Sequence, residues 1–172
     1  MTTALVVILS ASATGCGDST KPVTLPVTSI STTPPSQDLA NAAVLAAYTG
    51  LWSDYQRDLL TANWQNPASA NHATGQALAS IKEALSNDSR HGWIGKGAPV
   101  PHPTVKSLAL SPSASAEVVD CIDLSHALLY VATTGALKDS TPGGRHLVDA
   151  GLVMQDGVWK VSTMTAGQVG SC

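Results

Sequence analysis

Arg145-His146-Leu147-Val148-Asp149-Ala150-Gly151-Leu152-Val153-Met154, then Gln155-Asp156-Gly157, then Val158-Trp159-Lys160-Val161-Ser162-Thr163-Met164, is the stretch that decides the fold. Apolar residues alternate along both arms, the period of a half-buried strand, and Gly157 supplies the positive φ that a tight hairpin turn needs. Working back toward the N-terminus, residues 104–110, 116–124 and 127–134 read as three more strands, with Pro112-Ser113 as the turn between the first two. Five sequential strands with short connections predict one strongly curved antiparallel sheet.

The half before the strands has a different period. Pro34-Pro35-Ser36 reads as a stop followed by an N-cap, and Asp38 falls in the first turn, where the helix dipole favours an anion. Leu45, Tyr48, Trp52, Tyr55 and Leu59 recur at spacings of three and four, which puts them on one helix face. Asp54, Arg57 and Asp58 fall on the other side, and Asn66-Pro67 breaks the pattern. A second helix is predicted over 71–85, with Ala77, Leu78, Ile81 and Leu85 inward and Asn87-Asp88-Ser89 closing it. Helices first and a meandering sheet after make an α+β arrangement. The connection 92–103 is rich in Gly and Pro but has no Gly-Lys-Ser/Thr, so it is not a phosphate loop. His91 and His102 flank it; two isolated histidines do not make a metal site, and no metal or cofactor is expected.

The 172-residue chain carries a formal net charge of −3 and no Phe. Its nine Lys and Arg are scattered, which argues against a nucleic-acid partner. At the start, the run from Ala4 through Leu9 ends in Ser10-Ala11-Ser12-Ala13-Thr14-Gly15-Cys16. An apolar run that stops at small residues and a cysteine resembles the signal peptide and lipobox of a bacterial lipoprotein. The resemblance implies cleavage before Cys16, a diacylglycerol thioether on its sulfur with acyl chains such as palmitate, and a protein anchored in the bilayer at the outer face of the cell membrane. The run is too short for a transmembrane helix, which needs about 20 apolar residues. The other reading of Cys16 is a free buried cysteine. Residues 17–37 are mostly Thr, Ser, Pro and Val, a composition that stays extended. The expected organisation is a signal peptide at 1–15, a lipidated cysteine and tether at 16–37, and one domain at 38–172.

If Cys16 is acylated, Cys121 and Cys172 remain. Outside the cytoplasm two leftover thiols are expected to pair, tying the last residue to a mid-domain strand; the other reading is two unrelated thiols. There is no Cys-x-x-Cys to suggest a redox role.

Element order and three short stretches resemble the nuclear transport factor 2-like superfamily, which includes SnoaL-like members: Ala46-Ala47-Tyr48 with Trp52, Val119-Asp120-Cys121-Ile122-Asp123, and Asp156-Gly157-Val158-Trp159-Lys160-Val161. The Asp-Cys…Cys pairing is similar to exported actinobacterial members. The resemblance implies a cone in which N-terminal helices pack into the mouth of the curved sheet. It leaves the region 89–96 for the usual short third helix. It admits two functions. One is a non-catalytic binding or assembly module at the cell surface, as a homodimer or with a protein partner. The other is an isomerase, dehydratase or cyclase that uses a polar group inside an apolar cone. Strand parity nominates Asp120, which shares a face with Val118, Ile122 and Leu124, and His146, which shares one with Val148, Ala150, Leu152 and Met154. Tyr48 on the first helix could add a hydroxyl. Such chemistry needs a base with a tuned pKa and a donor aimed at a developing oxyanion. Each residue also has a structural reading: Asp120 satisfying backbone donors, His146 exposed beside Gly143-Gly144, Tyr48 as core. Asp123 and His126 read as turn residues.

Overall fold

In the computed structural model, which describes residues 36–138, 140–141 and 143–172, the hairpin forms as its sequence predicts. Strands Arg145–Gln155 (β5) and Val158–Ala166 (β6) pair antiparallel from Gln155↔Val158 onward. The turn residues Asp156 and Gly157 have φ of 53° and 78°, so both central positions are left-handed. That is the mirror-image turn whose twist matches the strands. The predicted signal peptide, Cys16 and all but the last two residues of the tether lie outside the described residues.

The main sheet adds Pro103–Ala109 (β2) and Ser115–Asp123 (β3) in the order β2-β3-β5-β6, all antiparallel. Its ladders slip between Val105 and Ser107 and between Gly151 and Leu152. Extra residues of this kind bend a strand and raise its twist.

Two helices pack on the inner face of this sheet, so the predicted α+β arrangement is the one observed. Helix Gln37–Leu59 (α1) starts at Ser36, whose hydroxyl accepts the Leu39 N–H at 3.4 Å. Helix Gly75–His91 (α2) ends at Gly92, whose φ of 67° is the left-handed cap that glycine adopts without strain. Both sit over a core of Val44, Tyr48, Leu51, Leu85, Val118, Ile122, Val148, Leu152, Trp159 and Val161. Among the described residues no helix is long and apolar enough to cross a membrane.

Four expectations need correction. The strand predicted over 127–134 is Leu128–Val131 (β4), and it does not join the main sheet. It pairs instead with Trp93–Lys96 (β1), which lies in the connection read as a loop. The short third helix assigned to 89–96 is therefore the end of α2 followed by a strand. Gly95 lets β1 lie close against α1: a Cβ there would run into the Leu59 side chain where it now sits. The second helix is displaced, running six residues past Leu85 through Asn87-Asp88-Ser89. Arg90 and His91 in its last turn complement the dipole. Its predicted start is strand-like, since Ala73 bridges Val161 in parallel.

The fourth correction concerns which side of α1 is buried. Asp54 and Asp58 are buried, while Leu45 and Trp52 are only partly so. Chain turning back at Asn66-Pro67 covers this side. The Asp58 carboxylate accepts hydrogen bonds from Asn66 Nδ2 at 2.6 Å, Ser69 Oγ at 2.7 Å and Arg57 Nε at 3.1 Å. Asp54 accepts from Arg57 Nη1 at 2.6 Å and faces His72 Nδ1 at 2.8 Å. Buried carboxylates satisfied this fully anchor the end of a helix.

Candidate functional site

Strand parity and helix phase bring two of the three nominated residues together. Asp120 sits on the inward face of β3 with Val118 and Ile122, and Tyr48 reaches it from α1. The Tyr48 hydroxyl donates to Asp120 Oδ2 at 2.9 Å, and the His102 backbone N–H donates to Oδ1 at 2.6 Å. Both side chains are closed off, Tyr48 at 0% and Asp120 at 1% exposure. Burial drives the Tyr48 pKa far upward; the indole of Trp52 opposes this, and the negative charge of Asp120 adds to it. The phenol therefore remains a neutral donor.

His146 does not join them. Its β-strand position faces inward, but the ring turns to the chain segments flanking β5. Nδ1 lies 2.9 Å from the Gly167 carbonyl oxygen, and Nε2 lies 2.9 Å from that of Gly143. Its ring fastens the C-terminal segment. Cys121 and Cys172 are bonded, with Cα atoms 5.8 Å apart. Asp123 accepts from the Ser125 N–H at 2.8 Å, and that contact, with Arg145 close by, holds its carboxyl below the usual range. No group of three potential metal ligands forms among the described residues.

An apolar cavity lies beyond Trp52. Tyr48, Trp52 and Tyr55 form an edge-to-face series along α1, with ring centroids 6.3 and 6.1 Å apart. On the far side of Trp52 a cavity of about 340 Å³ opens between the helices, the small β1-β4 sheet and β6. Trp52, Tyr55 and Leu59 form its α1 wall, and Ser80, Ile81 and Ala84 its α2 wall. Leu124, Leu129 and Met164 close the other side. Neither Asp120, Tyr48 nor His146 lines it. The volume is at the lower end of the range for small-molecule sites, and the lining is almost wholly apolar.

One buried acid near this cavity is not legible from sequence pattern alone. Asp88, assigned to a helix end, is 7% exposed on α2. It follows Ala84 by four residues and Ile81 by seven, so it lies on the same side of α2 as those two residues, but it does not line the cavity. Burial raises its pKa above 3.8, opposed by the positive charges of Lys138 and His91. Tyr55 is pushed up to about 12, first by burial and then by the Asp88 charge. Lys138 Nζ lies 4.2 Å from the centre of the Trp93 ring, and His91 stacks on that ring at 4.4 Å.

The Asp88 shift sets a pH dependence. A carboxyl whose folded pKa is raised opposes folding when ionised and ceases to do so as pH falls through the folded value toward 3.8. Asp88→Asn is therefore expected to raise the melting temperature at pH 7, with the gain vanishing below about pH 4. Thermal unfolding of both proteins across this range checks it.

No family model matches this sequence, and no curated protein matches it. Among solved structures, the intermembrane-space region of the chloroplast protein ARC6 is 12% identical, with a TM-score of 0.48 over 77% of this chain and 98% of its own. Aln2 from a Streptomyces species is 17% identical, with a TM-score of 0.44 over 79% and 94%. A chain titled Rd1NTF2_05 with several substitutions is 13% identical, with a TM-score of 0.34 over 76% and 97%.

Proposed function

We propose that this chain is a lipid-anchored extracytoplasmic binding module, whose folded domain holds an apolar small molecule between its helices and its sheet without a catalytic step. One observation carries the reading: the cavity wall is apolar, while the acid–phenol pair that chemistry would use is turned into the core. Asp120 spends its oxygens on Tyr48 and on a backbone N–H, and both side chains are sealed from solvent. An isomerase, dehydratase or cyclase would need a base facing bound substrate. The anchoring part of the proposal rests on the Ala4–Cys16 stretch and the Ser/Thr/Pro composition after it. A disulfide supports an oxidising compartment.

The test has two arms. Ala84 is exposed at the cavity mouth, so Ala84→Trp obstructs the opening without overpacking the core. The full chain is expected to bind an apolar fluorophore such as N-phenylnaphthylamine, and Ala84→Trp to weaken binding at least tenfold at unchanged stability. Equal binding by the two proteins places the ligand elsewhere. In membrane fractionation, Cys16→Ala is expected to move the protein to the soluble fraction; unchanged membrane association overturns the anchor.

A further inference from the structure

His146 stands apart from the Asp120–Tyr48 pair, and the two contacts of its ring bear on its protonation. Nδ1 lies 2.9 Å from the Gly167 carbonyl oxygen, and Nε2 lies 2.9 Å from that of Gly143. A carbonyl oxygen only accepts, so each ring nitrogen has to donate. Neutral imidazole carries a single N–H, and its other nitrogen would turn a lone pair toward a carbonyl lone pair. Only the imidazolium offers two donors. Turning the ring over would put carbon atoms at both contacts and lose both bonds. Among the described residues no backbone N–H donates to either oxygen.

We infer that His146 is a proton-operated clasp: as imidazolium it ties both Gly143 and the C-terminal segment to the start of β5, and on losing a proton it releases one of them. Few charges surround it. Residues 140–144 and 167–171 carry no titratable side chain, and Cys172 is bonded to Cys121. On β3 the residue opposite is Ile122. Arg145 precedes the ring in sequence, and its Nε lies 3.6 Å from Asp123 Oδ2, so a positive and a negative charge offset each other at this strand end. Asp120, on the same face of β3 as Ile122, already accepts from Tyr48 and His102. Histidine changes charge between about pH 5 and 8, so the clasp is complete at the acid end and loosens as pH rises. The disulfide keeps the last residue in place throughout; what is freed is the backbone on either side of β5. That backbone reaches the cavity, because Gly144 O accepts the Leu124 N–H at 2.8 Å and Leu124 lines the cavity wall. The inference stands on its own geometry and does not depend on the binding reading above.

Nuclear magnetic resonance of the full-length, disulfide-intact protein labelled with nitrogen-15 tests it between about pH 5 and 8. The His146 ring shifts should show protons on both nitrogens at the acid end and on one at the basic end. Over the same range the Gly167 and Gly170 amides, which donate to Leu147 O and Arg145 O, should lose hydrogen-exchange protection once the intrinsic rate is corrected for. The expected loss is about tenfold, the worth of a hydrogen bond to a charged group. In His146→Gln, which has no titrating ring, that pH-dependent loss should vanish. A folded-state ring that is neutral at the acid end overturns the inference. So does equal protection at both ends, or a pH-dependent loss that persists in His146→Gln. The ring shifts are read on the wild-type protein, so they decide the matter even where the variant folds poorly.

Discussion

Cys172→Ser is expected to cost about 4 kcal/mol of folding stability, the largest single effect in the domain. The Cys121–Cys172 bridge closes a separation of 51 residues, and a loop of that length removes much conformational entropy from the unfolded chain. The native side adds little strain to subtract, because the tail is already held where the bridge needs it. Gly167 N–H donates to Leu147 O and Gly170 N–H to Arg145 O, each at 2.8 Å. The Leu147 N–H donates to Ser171 Oγ, also at 2.8 Å, and Cys121 pairs with Leu147 in the sheet. Tail, β5 and β3 thus meet at one place. Urea unfolding of Cys172→Ser, and of the wild type with reductant, should give the same reduced stability. The melting temperature should fall by on the order of 15 °C. A loss below about 1 kcal/mol would show that the bridge does little to restrict the unfolded chain.

Asp120→Ala is expected to cost about 3 kcal/mol, because it strands two donors at once. The Tyr48 phenol, at 0% exposure, has no water to turn to, and the His102 amide loses its carboxylate partner. Tyr48→Phe should cost only about 1–2 kcal/mol, since the carboxylate keeps its amide partner. The double variant should fall well short of the sum, because the two side chains share one interaction. Binding of an apolar ligand should be unchanged in Tyr48→Phe, as neither residue lines the cavity. A stable Asp120→Ala protein with altered ligand binding would instead place Asp120 at the ligand, and the module reading would fall.

Much of the fold was legible because it is written in local periods. The hairpin at Asp156-Gly157, the alternation that puts Asp120 inward and the N-cap at Ser36 all depend on neighbours in sequence. Asp120 and Tyr48 were nominated from parity and helix phase, and they do meet. What failed were positions where distant chain decides. The burial of Asp54 and Asp58 was not legible because the helix pattern contains no information about the Asn66–Ser69 segment that folds over them. Leu128–Val131 carried a genuine strand pattern, but its partner was hidden in a glycine-rich stretch. Gly92 as the end of α2 was a readable signal, passed over because Asn87-Asp88-Ser89 resembles a stop.

The sequence by itself determined the α+β order, the hairpin, the inward face of each long strand and the pair of cysteines in the domain. These follow from periodicity, turn stereochemistry and residue type, which act over a few residues. Only the tertiary structure decided that Asp120 and Tyr48 close on each other, that His146 fastens the tail, and that an apolar cavity opens between the helices and the sheet. Whether a polar side chain is satisfied depends on what the rest of the chain brings within about 3 Å of it, and no local pattern encodes that.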